Sequence, residues 1–159
     1  MFSNIQWKPL IISIVISLGI GGLSGFLIKN SMEVYRSYNL PLLAPPGVIF
    51  PIVWTILYIL MGISAYLIFV SDADRKQKTN SLFLYGLQLI LNFFWPIIFF
   101  NMNMLFFSFI WILFLWITIL LTIISFYKIN RLAAYLLLPY LAWVSFAAYL
   151  NLGIFVLNR

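Results

Sequence analysis

Cysteine and histidine are both missing from this chain. Their absence excludes disulfides, thiol nucleophiles, zinc sites and the commonest axial ligand of haem iron, so no metal centre and no resident cofactor are expected. Charge is scarce, at 8% of residues, and every charged side chain falls between long apolar runs or at their ends. With no Asp, Glu, Lys or Arg deep within a run, an ion-coupled pump has no coupling group. The formal charge of +6 sits in the connections, where it signals topology, and no nucleic-acid partner is expected.

What the chain does have is apolar length. Hydrophobic residues make up 65% of it and mean hydropathy is +1.10, far outside soluble composition, so its solvent is lipid. A hydrocarbon core about 30 Å thick needs about 20 helical residues, and five stretches qualify, roughly 9–28, 47–70, 81–100, 103–126 and 132–157. None alternates apolar and polar residues as barrel strands do, and backbone groups in lipid must pair internally. The predicted fold class is therefore all-α, a five-transmembrane-helix bundle forming one membrane domain over 1–159. The first run, Leu10 to Ile28, is too long for a signal peptide and lacks a clean small-residue cleavage site, so it reads as a retained span.

Only one connection is long, the polar segment Asn30 to Pro46. The others are a charged turn Ser71 to Asn80, the short Asn101 to Asn103 turn, and Lys128 to Arg131. An odd number of spans puts the termini on opposite sides. Lys8, Arg75, Lys76, Lys78, Lys128 and Arg131 then share one face, against Lys29, Arg36 and Arg159 on the other. That bias predicts a cytoplasmic amino terminus and an external first loop.

Three spans carry unusual residues, and a fourth carries a small-residue ridge. In the first span Ser17, Gly21 and Gly25 recur every four residues, a spacing that lets two membrane helices approach closely, whether within the bundle or between protomers. In the second, Trp54, Tyr58, Met61 and Ala65 lie along one face, with Trp54 suited equally to an interfacial belt or a pocket. In the third, Gln88, Asn92 and Trp95 share a face, and Pro96 denies the Asn92 carbonyl its helical partner, predicting a kink. The two amides fit either interhelical bonding or contact with a buried polar ligand group. In the fifth, Tyr140, Trp143 and Tyr149 alternate with small residues, and Trp143, Ala147 and Asn151 form one stripe, suiting close packing or a planar guest.

These segments together resemble the TspO/MBR family, the translocator or tryptophan-rich sensory proteins, in its bacterial type. The resemblance rests on PPGVIFPIVWTILYILMG (Pro45 to Gly62), QLILNFFWPIIFF (Gln88 to Phe100) and RLAAYLLLPYLAWVSFAAYLN (Arg131 to Asn151), and extends over nearly the whole chain. It implies an integral protein of a bacterial cell membrane, a homodimer, with a cavity between the second, third and fifth helices under the first loop. The implied ligand is a porphyrin such as protoporphyrin IX or another planar lipophilic molecule. The implied role is tetrapyrrole sensing and regulation or light- and oxygen-dependent porphyrin degradation; the alternative is passive carriage of tetrapyrroles or other lipophilic ligands such as sterols. Tryptophans tied to that degradation in the family match Trp54 and Trp143.

Two departures bear on this. Where the family often has a loop tryptophan, this chain has Leu43, and the animal sterol motif is replaced by Leu150-Asn151-Leu152-Gly153-Ile154, which speaks against sterol binding there. Ligand-binding candidates are Trp54, Tyr58, Gln88, Asn92, Trp95, Tyr140, Trp143, Phe146 and Ala147, with Lys29 or Arg36 able to meet a carboxylate. With no histidine or cysteine to hold iron, metal-free porphyrin or haem without an axial protein ligand is the better guest. A purely structural membrane partner would explain the glycine ridge but leave the amides and tryptophans unused.

Overall fold

A computed structural model describes residues 4–28 and 30–159. The elements in order are α1 (Trp7–Leu27), α2 (Ser31–Ser37), α3 (Ile49–Phe69), α4 (Arg75–Pro96), a π-helical turn at Ile97–Asn101, α5 (Leu105–Tyr127), α6 (Arg131–Leu136) and α7 (Leu138–Leu157). Five helical stretches are long and apolar enough to cross a bilayer, with α6 and α7 together making the fifth. All five predicted spans are present.

Their boundaries differ from the hydropathy reading where side chains intervene. The charged segment predicted as a turn from Ser71 to Asn80 is helical from Arg75 onward. The Asp74 carboxylate caps α4 by accepting from the Gln77 N–H at 3.1 Å, satisfying a donor the helix cannot. Lys78 Nζ meanwhile donates to the carbonyls of Phe69 at 2.8 Å and Ser71 at 3.0 Å, closing the end of α3. The fifth span is broken at Leu137, because Pro139 in the first turn of α7 has no N–H to donate back and crowds the preceding turn. At Pro96 the third span re-registers rather than ending: the chain passes into the π-helical turn, with the Met102 N–H reaching the Ile97 carbonyl at 3.0 Å. The long first loop, predicted as a connection, contains α2.

Around the bundle the spans follow the order first, second, fifth, fourth, third. The first and second cross tightly. Ser13 Oγ donates to the Gly62 carbonyl at 2.7 Å and Ser17 Oγ to the Tyr58 carbonyl at 2.6 Å, and a Cβ on Gly62 would lie 2.6 Å from Ile14 Cα. The second and fifth are pinned where Ser64 Oγ donates to the Ala133 carbonyl at 2.7 Å, between fully buried groups. Beyond that point the backbones of α3 and α7 hardly approach one another. The bundle is therefore tight at its α6 end, filled by Met61, Ile68, Leu115, Ile119 and Phe126, and splayed at the first-loop end, where α2 roofs it.

Candidate functional site

The splayed end encloses a cavity of about 510 Å³, within the range of small-molecule sites. Its walls come from α1, α3, α4 and α7, and its roof from α2 and the π-helical turn. The fourth span contributes nothing to the lining. The first span, read from the sequence as a packing ridge, is a wall as well as a packing face: Ser17 and Gly21 sit against Tyr58, where a Cβ on Gly21 would fall within the ring, whereas Gly25 faces open space and lines the cavity.

Aromatic rings stand in the α3 and α4 walls and in the roof. Trp54 stacks on Tyr58 with centroids 5.7 Å apart, and Trp95 lies tilted against Phe99 at 5.6 Å. The polar groups are engaged with one another. Tyr58 OH donates to Asn92 Oδ1 at 3.0 Å, Asn92 Nδ2 to Tyr140 OH at 2.7 Å, and Tyr140 OH to Gln88 Oε1 at 2.6 Å. Trp95 Nε1 donates to Asn151 Oδ1 at 3.0 Å, and Asn151 Nδ2 to the Leu105 carbonyl at 2.9 Å. Each contact ties two helices, so the amides serve interhelical bonding first. Asn92 alone of the amide pair also reaches the cavity, with a second N–H and a second lone pair to offer.

Among the predicted residues, the structure brings Trp54, Tyr58, Asn92, Trp95 and Ala147 to the lining. Gln88 and Tyr140 stand behind it, almost fully buried and bonded to each other. Trp143 and Phe146 face a separate shallow groove against Val53 and Leu57, on the other side of the α3–α7 seam. On α7, at about 100° per residue, Trp143 keeps the angular sector of Leu150 and Ile154, but it lies one turn nearer α6 than Ala147, beyond the part of the helix that lines the cavity. Trp143 touches the cavity only through Phe50, edge to face at 5.8 Å, and its Nε1 has no partner among the described residues. Arg36 is exposed and outside the lining, and no charged side chain lines the cavity among the described residues. Lys29 lies outside the described residues.

The roof is fastened at several points. Tyr35 OH donates to the Pro45 carbonyl at 2.8 Å, and its partial burial pushes the phenol above its usual range, keeping the donor proton in place. Tyr38 OH bonds Asn103 Oδ1. Asn158 accepts from the Asn39 N–H and donates to the Asn39 carbonyl, both at 2.9 Å. Tyr149 OH holds the Leu42 carbonyl at 2.6 Å, and Gly153 leaves room for Pro41, which a Cβ would meet at 2.7 Å. Leu43, at the place of the family's loop tryptophan, is exposed with φ of 69° and does not line the cavity. The resemblance placed the cavity under the first loop, but sequence reasoning named none of the contacts that fasten the roof and read α1 only as a packing ridge; for the α1 wall the cluster of Gly21, Gly22 and Gly25 was the available signal.

The model of the TspO/MBR family matches residues 11–157. The chain is 37% identical to the tryptophan-rich protein TspO of Chlorobaculum tepidum over 99% of both chains. It is 35% identical to the protein of that name from Archaeoglobus fulgidus, over 94% of this chain and 96% of the other. It is also 33% identical to the human translocator protein, over 91% and 87%.

Proposed function

The chain belongs to the TspO/MBR family, and from that premise we propose that it binds a porphyrin of the protoporphyrin IX kind in the cavity beneath α2. The observation that carries this reading is the wall of Trp54, Tyr58 and Trp95 around about 510 Å³ of neutral space. A flat apolar ring gains from aromatic faces, and Asn92 supplies a polar contact near its centre. The carboxylates of such a guest find no cation in the lining among the described residues, so they belong at the rim, in contact with headgroups or water, where their charge stays solvated.

Within this reading the protein senses or degrades the tetrapyrrole. Degradation would use light: Trp54, the tryptophan in the wall with part of its surface exposed, gives an electron to the excited porphyrin and its indole proton to water, leaving a tryptophanyl radical, and the reduced ring adds dioxygen, whose O–O bond breaks as a ring carbon–carbon bond opens to two carbonyls. Trp143, one ring removed behind Phe50, has the lesser part. Purified protein is titrated with protoporphyrin IX by tryptophan quenching and then illuminated while the Soret band is followed. Saturable quenching is expected, with bleaching slowed in Trp54→Phe and nearly unchanged in Trp143→Phe. Absence of saturable quenching refutes the binding, and bleaching at the original rate in Trp54→Phe/Trp143→Phe protein refutes the photochemistry. Carriage of the same ligand is the second reading, favoured by the exposed rim of the cavity; flux through sealed vesicles in the dark distinguishes it.

A further inference from the structure

The cavity has a mouth, and its position is set by four residues. Most of the lining is buried or half-buried; the exposed members are Gly22 and Gly25 on α1 and Pro51 and Thr55 on α3. All four belong to the gap between the first and second spans. An added Cβ at Gly22 or Gly25 would meet nothing within 4 Å. The two helices touch firmly at Ser13, Ser17 and Gly21 and separate toward the end of α1, while Ser24 Oγ, donating to the Phe93 carbonyl at 2.9 Å, holds α1 on the opposite side against α4.

We propose that this gap is a lateral portal, through which a flat lipophilic ligand passes between the cavity and the adjoining bilayer leaflet without crossing water. The proposal rests on the porphyrin-binding reading for its ligand, but not for its geometry. Gly25 lies two residues from the end of α1 and Thr55 six from the start of α3. At 1.5 Å per residue both are within about 10 Å of the helix ends, at the depth where acyl chains meet headgroups. The rim is chemically suited to lipid: Thr55 Oγ turns back to the Pro51 carbonyl at 2.7 Å, so no unsatisfied hydroxyl faces the hydrocarbon. The competing route from water, through the roof, is closed by the contacts of Tyr35, Asn39 and Tyr149 described above.

The test narrows the mouth with Gly22→Phe and, independently, Gly25→Phe, each reconstituted in vesicles and checked for helical content. Stopped-flow mixing with protoporphyrin IX preloaded in donor vesicles gives the rates. A portal acts on passage in both directions, so association and dissociation should both slow by roughly tenfold or more. A porphyrin-independent readout accompanies it: brominated acyl-chain lipid quenching Trp54, in protein whose other tryptophans are phenylalanine, should weaken when Gly22 becomes phenylalanine. Unchanged rates in both variants overturn the portal while leaving porphyrin binding in place. Absent porphyrin uptake in the unsubstituted protein, with bromolipid quenching weakened in Gly22→Phe, overturns the porphyrin reading and supports the portal. Absent uptake with unchanged quenching overturns both.

Discussion

Replacing Gly62 by alanine tests whether the crossing of α1 over α3 is as close as described. The new Cβ would sit 2.6 Å from Ile14 Cα and 3.0 Å from its nitrogen. Both are backbone atoms that cannot rotate away, so the helices must part by about 1 Å to reach ordinary contact. Overpacking of this kind costs about 1–3 kcal/mol. The parting also lengthens the Ser13 and Ser17 bonds from 2.7 and 2.6 Å, each worth about 0.6 kcal/mol between membrane helices. Alanine returns about 1 kcal/mol of helix propensity, leaving a net loss of about 1–3 kcal/mol. Gly86 is the control, since a Cβ there meets nothing within 4 Å and Gly86→Ala should be neutral or stabilising by up to about 1 kcal/mol. Both variants are measured by steric trapping or detergent titration of reconstituted protein. Gly62→Ala as stable as Gly86→Ala would refute the close crossing.

The buried network makes a second forecast: Tyr140→Phe leaves Gln88 Oε1 and one Asn92 N–H without their partner, costing about 1–3 kcal/mol by the same titration. Asp74→Ala removes the cap of α4 and should cost about 1 kcal/mol, with Asp74→Asn nearly neutral; equal losses in the two would point to charge rather than capping. Asn158→Ala unfastens the roof at Asn39, and hydrogen exchange should show the Asn39 amide losing protection by roughly fivefold, the equivalent of about 1 kcal/mol, while Leu115 in α5 keeps its own.

The spans were legible in the sequence because transfer into lipid is a local, additive property of each residue. So was the inward direction of Gln88, Asn92 and Trp95, since an amide or an indole N–H facing lipid is costly. Their partners were not: Tyr58, Tyr140 and Asn151 lie 34, 48 and 56 residues away along the chain, and nothing in the spacing of one helix names its neighbour. The same limit applies to Gly21 and Gly25, which repeat a single pattern yet do opposite things, one pressed to a tyrosine ring and the other open. Trp143 shows the converse. Its stripe was readable, but whether it faced the cavity depended on the splay between α3 and α7, which hydropathy does not encode.

The α1–α3 crossing also has a mechanical consequence. Ile14 lies eleven residues before Gly25, about 16 Å along the helix axis, so the contact at Gly62 is the fulcrum of a lever whose far end is the rim of the cavity. Tilting α1 by about 10° moves Gly25 by about 3 Å and must release the Ser24 bond to the Phe93 carbonyl, which sets the stiffness of the lever. Helix tilt is what bilayer thickness acts upon, so a thicker or thinner membrane would set how wide the rim stands. Ligand uptake should accordingly change with acyl-chain length in vesicles of otherwise identical composition, and a rate indifferent to chain length would show that the fulcrum is locked.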